Sequence, residues 1–226
     1  MILDMNSILA PFLCPGCELP CWEGVCTYCN HAIQQNDSIL PSPIDGIEGV
    51  APLLFAFQST HSILKAWKEK QGSHLEQLLF RIDPVLLNEL LKLEIDLIIP
   101  VPQHFKRSWK RGHSSSLAVA RFFSRKLSVP TLELLSLVRG HHPKQASLDQ
   151  WNRNYSSNPF LLDSKHQPTL QFLAQNAKIL LVDDLITSGN TLAKAQERIR
   201  DYFSRSQIWA AGLGYKPKKI GQGSNS

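Results

Sequence analysis

The most informative part of the sequence is a run of thirteen residues: Ile179-Leu180-Leu181-Val182-Asp183-Asp184-Leu185-Ile186-Thr187-Ser188-Gly189-Asn190-Thr191. Its apolar start is typical of a buried strand, and it continues into two carboxylates, a loop of hydroxyl side chains with a glycine, and a helix. In open α/β sheets, ligands bind beside the carboxyl ends of strands. The run therefore predicts a ligand site between a strand at 178–182 and a helix that begins near Thr191.

The loop of this run has the donors that a phosphate group needs. The hydroxyls of Thr187, Ser188 and Thr191 can donate hydrogen bonds, as can the backbone N–H groups around Gly189 and Asn190. The helix that follows adds the positive end of its dipole. We therefore predict that residues 187–191 bind a phosphate.

The carboxylates of Asp183 and Asp184 cannot bind that same phosphate, because all three groups are anions. An adjacent pair of acids suits the two vicinal hydroxyls of a ribose, or a magnesium ion, or both. A phosphate site about one ribose away from a diol site describes a ribose 5-phosphate. A surface turn with an acidic helix start is the alternative, and the specificity of the run argues against it.

The rest of the chain alternates apolar strand patterns with amphipathic helix patterns. Strands are predicted at 50–57, 95–101, 132–138, 178–182 and 207–213, and helices at 63–67, 75–93, 117–127 and 191–203. This alternation predicts an α/β fold with a mostly parallel sheet that is covered on both faces. We divide the chain into a cysteine module at 1–35, a linker at 36–49, a main domain at 50–215 and a basic tail at 216–226.

All five cysteines lie near the start of the chain, and four of them form two Cys-x-x-Cys pairs: Cys14, Cys17, Cys26 and Cys29. Two such pairs are the usual way to place four thiolates tetrahedrally around zinc. Disulfides or redox chemistry are the alternative, but they need an oxidising compartment and leave one cysteine unpaired. We predict a structural zinc ion, with Cys21 either a buried thiol or a replacement for one of the four ligands.

The composition excludes several classes of protein. The chain has 226 residues and a mass of 25.5 kDa, with 43% hydrophobic and 19% charged residues, so it can bury a core and is neither disordered nor fibrous. No apolar run approaches the ~20 residues of a membrane helix, so we predict no membrane insertion. The sequence starts with an acid at Asp4, where a signal peptide has Lys or Arg, and we therefore expect a cytoplasmic protein.

Positive charge is concentrated in the second half of the chain. Residues 1–100 contain five Lys and Arg against twelve Asp and Glu, whereas residues 101–226 contain nineteen against seven. The densest group, which we call the basic segment, consists of Lys106, Arg107, Lys110 and Arg111. Such an imbalance indicates contact with a nucleic acid, a polyphosphate or a phosphorylated metabolite, or else a solvated surface.

The run at 179–191 resembles the phosphoribosyl pyrophosphate (PRPP) signature of type I phosphoribosyltransferases. With the two cysteine pairs, it makes the chain similar to the ComF family (competence protein F and the GntX-type relatives) from about residue 10 to 215. Further supporting residues are Pro100, Pro102, Arg111, Gly112, Arg139, Gln145, Leu148, Arg153 and Phe160. One departure is at 111–115, where the family usually has Arg-Gly-Phe-Asn-Gln and this chain has Arg-Gly-His-Ser-Ser.

This resemblance implies a type I phosphoribosyltransferase fold in the main domain. It implies that Asp183 and Asp184 hold the ribose hydroxyls as catalytic residues, that the loop 187–191 binds the 5-phosphate of PRPP, and that Mg²⁺ accompanies PRPP. It also implies that Arg139 and Lys144 lie in a flap over the pyrophosphate. The basic segment is placed to contact either that pyrophosphate or DNA.

Two hypotheses of function follow. The protein is either an active phosphoribosyltransferase of nucleotide or small-molecule metabolism, or a PRPP-binding protein of natural competence, which handles single-stranded DNA during its uptake. The family resemblance implies three partners in competence: single-stranded DNA, a helicase-like DNA-uptake ATPase and a recombination mediator. A zinc-finger DNA-binding protein is a third interpretation, but it does not explain residues 179–191. We favour the competence hypothesis.

Overall fold

The computed structural model describes residues 12–22, 25–56, 58–70, 79–103, 114–137, 158–162 and 176–216. Its strands are β1 (Phe12–Leu13), β2 (Pro20–Cys21), β3 (Leu40–Pro41), β4 (Gly49–Phe55), β5 (Leu97–Pro100), β6 (Leu135–Leu137), β7 (Phe160–Leu162), β8 (Lys178–Ile186) and β9 (Gln207–Tyr215). Its helices are α1 (Thr27–His31), α2 (Gln58–Lys70), α3 (Pro84–Lys92), α4 (Ser115–Leu127) and α5 (Asn190–Arg200). None of these helices is both long and apolar enough to cross a lipid bilayer.

A five-stranded sheet with the order β3-β4-β9-β8-β5 forms the centre of the described structure. The strands β4, β9, β8 and β5 are parallel to their neighbours, and β3 pairs antiparallel with β4 at one edge. At the other edge, Thr131 forms a parallel bridge to Ile98. The predicted mixed α/β fold with a mostly parallel sheet is therefore confirmed, and its phosphoribosyltransferase type stays a prediction.

Buried apolar side chains cover both faces of this sheet. In β8, Leu180 and Val182 belong to a cluster that includes side chains of α2, α3 and α4, whereas Ile179 and Leu181 belong to a second cluster with side chains of α5. The alternation follows from the two-residue period of a strand. It extends towards the end of β8, where the predicted acidic pair lies.

The cysteine module packs on the first of these clusters. Cys14, Cys21 and Cys29 are buried together with Leu53 and Leu54 of β4. Contact with the sheet supplies apolar neighbours that such a short segment cannot provide by itself.

Residues 36–49 were predicted to be a linker, and they contribute directly to the main sheet. They contain β3, and Ile44 and Ile47 are buried in the second cluster. The side-chain amide of Asn36 donates to the carbonyls of Ser38 and Pro52 at 2.6 and 3.0 Å. Polar and proline-rich composition therefore marks an edge of the fold here rather than a free connection.

Several elements have different bounds from those predicted. The strand predicted at 178–182 continues to Ile186, because β9 pairs with it as far as Tyr215. The acids at 183 and 184 consequently lie within β8 rather than after it. The segment 132–138 contributes β6, which pairs with β7 outside the main sheet. Within the described part of 75–93, Leu79 is helical, residues 80–83 are not, and α3 begins at Pro84.

Candidate functional site

The candidate site lies at the carboxyl ends of β5 and β8, which are neighbouring parallel strands. Pro100 is paired with Val182, and the Val101 N–H donates to the Val182 carbonyl at 2.8 Å. Gln103, which follows β5, and Asp184, which lies within β8, therefore meet at the same edge of the sheet. Ligands of α/β sheets bind at this kind of position.

Asp184 is almost completely buried, with 6% of its surface exposed. Its Oδ1 lies 2.6 Å from the Lys68 ammonium nitrogen of α2. Its Oδ2 accepts hydrogen bonds from the Gln103 amide at 2.5 Å and from the Ser115 hydroxyl at the start of α4. Both carboxylate oxygens of Asp184 are therefore bonded to donors of this chain.

The start of α4 is itself fixed against β5. The Ser116 hydroxyl donates to the Val101 carbonyl at 2.6 Å, and the Ser114 hydroxyl accepts the Leu117 N–H at 3.4 Å as the N-cap of α4. Serine at an N-cap satisfies a backbone donor that a helix start leaves open. The three consecutive serines 114–116 thus cap the helix, bond Asp184 and tie the helix to the strand.

Asp183 has a different environment from Asp184. Its Oδ1 accepts the Asp184 N–H at 2.8 Å, and no side chain of the described residues donates to it. Burial and the Asp184 carboxylate raise the pKa of Asp183 to about 7, although that backbone hydrogen bond and Lys68 act in the opposite direction. Asp183 is therefore the carboxylate of the pair that is left to a ligand.

Residues 187–191 comprise the turn between β8 and α5 and the first two residues of α5, and all of them except Gly189 are exposed. Gly189 has a φ of +76°, and a Cβ at this position would lie 2.5 Å from the Ile44 side chain, so the turn requires glycine. No side chain caps α5, and the Asn190 N–H reaches only the Ser188 hydroxyl at 3.4 Å. The first N–H groups of α5 are thus open to an external acceptor.

The four predicted zinc ligands lie together at the start of the chain. The sulfurs of Cys14, Cys17, Cys26 and Cys29 all lie within 4.8 Å of one another, with 3.5 Å between those of Cys17 and Cys26. A tetrahedral site with Zn–S bonds of about 2.3 Å places its sulfurs about 3.8 Å apart. The cluster therefore fits a metal ion such as zinc. Cys21 is buried in β2 and is not a member of it.

The thiols of this cluster do not ionise equally. Burial acts to raise the pKa of Cys14, but hydrogen bonds from the backbone of Cys26, Gly16 and Cys17 outweigh it and lower the pKa to about 7. Burial and the neighbouring thiols raise the pKa of Cys29. Four adjacent thiols cannot all become thiolates without a cation, and a bound metal ion supplies that charge.

Three residues of the site were missed by the sequence analysis: Lys68, Gln103 and Ser115. Gln103 lies two residues after the end of a predicted strand, which is a usable signal. Ser115 belongs to the segment that departs from the ComF pattern, so the departure itself marked the position. Lys68 lies 116 residues before Asp184 and stands in no motif, so no local signal identifies it.

Six predicted anion contacts lie outside the described residues: Lys106, Arg107, Lys110, Arg111, Arg139 and Lys144. Their contact with pyrophosphate or DNA stays a prediction. Of the predicted site residues, the acidic pair lies in β8, and residues 187–191 follow this strand and enter α5.

Fold and site define a mixed α/β protein with a mostly parallel sheet, a group of bonded polar side chains at its carboxyl edge and a four-cysteine cluster. The chain is similar to Competence protein F of Haemophilus influenzae (strain ATCC 51907 / DSM 11121 / KW20 / Rd), with 30% identity over 117 residues. The match covers 50% of this chain and 48% of the relative, so it spans about half the length of that protein. No protein-family model matches the chain. The similarity supports the resemblance to the ComF family.

Proposed function

We propose that this protein binds PRPP in the crevice beside β5 and β8 and acts in natural competence. One observation carries the PRPP proposal: an exposed loop and an uncapped helix follow directly after a strand that presents an available carboxylate. A ribose 5-phosphate needs this combination, because its phosphate is an acceptor and its ribose hydroxyls are donors. The similarity to Competence protein F supports the role in competence.

In this proposal, the 5-phosphate accepts hydrogen bonds from the first N–H groups of α5 and from the hydroxyls of Thr187, Ser188 and Thr191. Asp183 accepts hydrogen bonds from the ribose hydroxyls. The basic segment contacts the pyrophosphate of PRPP, and Mg²⁺ binds to that pyrophosphate. Zinc in the four-cysteine cluster stabilises the module and takes no part in ligand chemistry.

A role in competence would explain the excess of positive charge in the second half of the chain. Single-stranded DNA is a polyanion that Lys and Arg side chains bind without sequence preference. The proposal includes a helicase-like DNA-uptake ATPase and a recombination mediator as protein partners. Pentosyl transfer from PRPP is the second candidate function, and the raised pKa of Asp183 in a ligand crevice favours it.

Calorimetric titration of PRPP with Mg²⁺ tests the ligand proposal. At pH 8, where Asp183 is ionised, Asp183→Asn removes a charge-assisted hydrogen bond to the ribose, worth about 1.5–3 kcal/mol, so the affinity should fall by roughly 10- to 100-fold. Asp201→Asn is the matched control, because Asp201 is an exposed acid at the other end of α5 and pairs with Arg198. No binding to the wild-type protein, or an unchanged affinity of the Asp183→Asn variant, contradicts the proposal. Pyrophosphate release in the same mixtures tests catalysis separately.

A further inference from the structure

The ion pair between Lys68 and Asp184 changes how the acidic pair can act. We propose that Lys68 occupies the position on Asp184 that a divalent metal would need, so that this chain holds its ligand without a metal ion on Asp184. Lys68 is thus a positioning residue that orients Asp184 at the base of the crevice. This inference rests on the proposed PRPP site and assigns the charges within it.

The hydrogen bonds and the ion pair of Asp184 leave neither of its oxygens free to coordinate a metal ion. Oδ1 faces the Lys68 ammonium at 2.6 Å, and Oδ2 accepts from Gln103 and Ser115. The exposed fractions of the two charged side chains are 20% for Lys68 and 8% for Asp184, so water screens the pair weakly. A metal at Asp184 would have to displace either an ammonium or two hydrogen-bond donors. The geometry of Asp184 therefore does not support the magnesium interpretation at this carboxylate.

Lys68 is held in place by the packing of its helix. Ile63, Leu64 and Trp67 of α2 are buried in the first core cluster. Lys68 lies one turn after Leu64 and next to Trp67, at the edge of that buried stripe. The ammonium consequently reaches Asp184 from a helix that the core fixes, and not from a surface loop.

Gln103 supports Asp184 from the other side of the carboxylate. Its amide nitrogen donates to Asp184 and to the Ser115 hydroxyl, both at 2.5 Å, whereas its Oε1 is buried and accepts no hydrogen bond within the described structure. Asp183 is then the carboxylate that receives the ligand, while Lys68 neutralises Asp184.

Binding of Mn²⁺ to the ligand-free, zinc-retaining chain tests the assignment. Wild type and Lys68→Arg should show no Mn²⁺ binding that depends on Asp184. Lys68→Met should bind Mn²⁺ at least about 10-fold more tightly than wild type, because removal of a cation from a weakly screened acidic pair restores its attraction for a metal. The double variant Lys68→Met/Asp184→Asn should lose this gain. The electron paramagnetic resonance signal of free Mn²⁺ gives the Mn²⁺ affinity of each of the four proteins.

Two results overturn the inference. One is Mn²⁺ binding to wild type that disappears in Asp184→Asn, a comparison that needs no Lys68 variant to fold. The other is a folded Lys68→Met protein, verified by its thermal melt, that gains no Mn²⁺ affinity.

Titration of PRPP into the same proteins separates this inference from the proposed function. If Lys68 acts through Asp184, Lys68→Met should weaken PRPP binding in the wild-type background and have little further effect on Asp184→Asn. Equal losses in both backgrounds would show a direct contact with the ligand and overturn the positioning role. If PRPP does not bind wild type at all, the proposed function fails, whereas the Mn²⁺ comparison still decides the role of Lys68.

Discussion

The cysteine cluster and the acidic crevice are assembled in opposite ways. The four ligands of the cluster lie within residues 14–29, and two short turns bring them together. Asp184 is instead bonded to side chains that are 69, 81 and 116 residues away in the sequence. With zinc bound as proposed, the cluster would depend on an ion that can be removed, whereas the crevice depends on the sheet and two helices being in place.

The two regions still share one core. Cys14 and Cys29 are buried in the same cluster as Leu53 of β4 and Ile63 of α2, the helix that carries Lys68. Loss of the metal is therefore expected to loosen the contact between module and sheet. The hydrogen bonds around Asp184 involve none of the module residues, so the crevice should persist.

The largest effect is expected from removal of the metal. Wild type should contain one zinc per chain, and Cys26→Ser should lose it and unfold the module, because structural zinc contributes about 10–16 kcal/mol of apparent binding energy in small metal-dependent domains. PRPP binding should remain close to that of wild type. Metal analysis and thermal melts measure the first effect, and calorimetry the second.

Cys21→Ser is the control for this prediction. Cys21 is buried next to the cluster but is outside its four sulfurs, so the variant should retain the metal. A well-folded Cys26→Ser chain without metal would show that the cluster is not structural. Loss of metal in Cys21→Ser would place this thiol among the ligands.

This contrast also explains what the sequence could predict. The spacing of Cys14, Cys17, Cys26 and Cys29 is local information, and the structure confirms that their sulfurs meet. The strand patterns at 95–101 and 178–182 gave the parallel neighbours β5 and β8. Both results depend on residues that are close in sequence or on a strong apolar pattern.

The side chains that donate hydrogen bonds to Asp184 could not be predicted from such local patterns. Lys68 meets Asp184 because α2 packs on the same face of the sheet, and side-chain partners across that face are set by tertiary packing. The extension of β8 to Ile186 is likewise decided by pairing with β9 rather than by β8 itself. The sequence therefore predicted the position of the acidic pair, but it assigned the same ligand contact to Asp183 and Asp184. In the structure, side chains bond Asp184, whereas none of the described side chains donates to Asp183.

A medium effect is expected in the pH dependence of stability. The folded protein keeps the Asp183 proton up to about pH 7, whereas an unfolded Asp releases it at about pH 3.9. Between these values the folded state binds more protons, so Asp183 lowers the free energy of unfolding as pH rises from about 4 to 7. Asp183→Asn should remove this loss and become more stable relative to wild type by about 1–2 kcal/mol, less than the full shift because the side chain is partly exposed.

Urea unfolding of both proteins at pH 5 and pH 8 measures this difference. Asp201→Asn is again the control, since it removes an exposed acid outside the site. Parallel pH profiles for wild type and Asp183→Asn would mean that Asp183 ionises normally. The contrast between the members of the acidic pair would then be lost.

The smallest expected effect concerns nucleic acid and the basic segment, which neither region of the comparison includes. If the segment binds single-stranded DNA, the affinity should fall steeply with salt, because each neutralised phosphate releases a counterion. Lys106→Glu and Lys110→Glu should each reduce the slope of log affinity against log salt by roughly one. Lys92→Glu makes the same charge change on the exposed end of α3 and should leave the slope unchanged.

Saturating PRPP should compete with DNA if the basic segment also binds pyrophosphate, because this segment follows the carboxyl end of β5, beside Asp183. DNA binding that is unaffected by PRPP would assign the two anions to separate surfaces, and undetectable DNA binding at low salt would leave the crevice as the use of this charge.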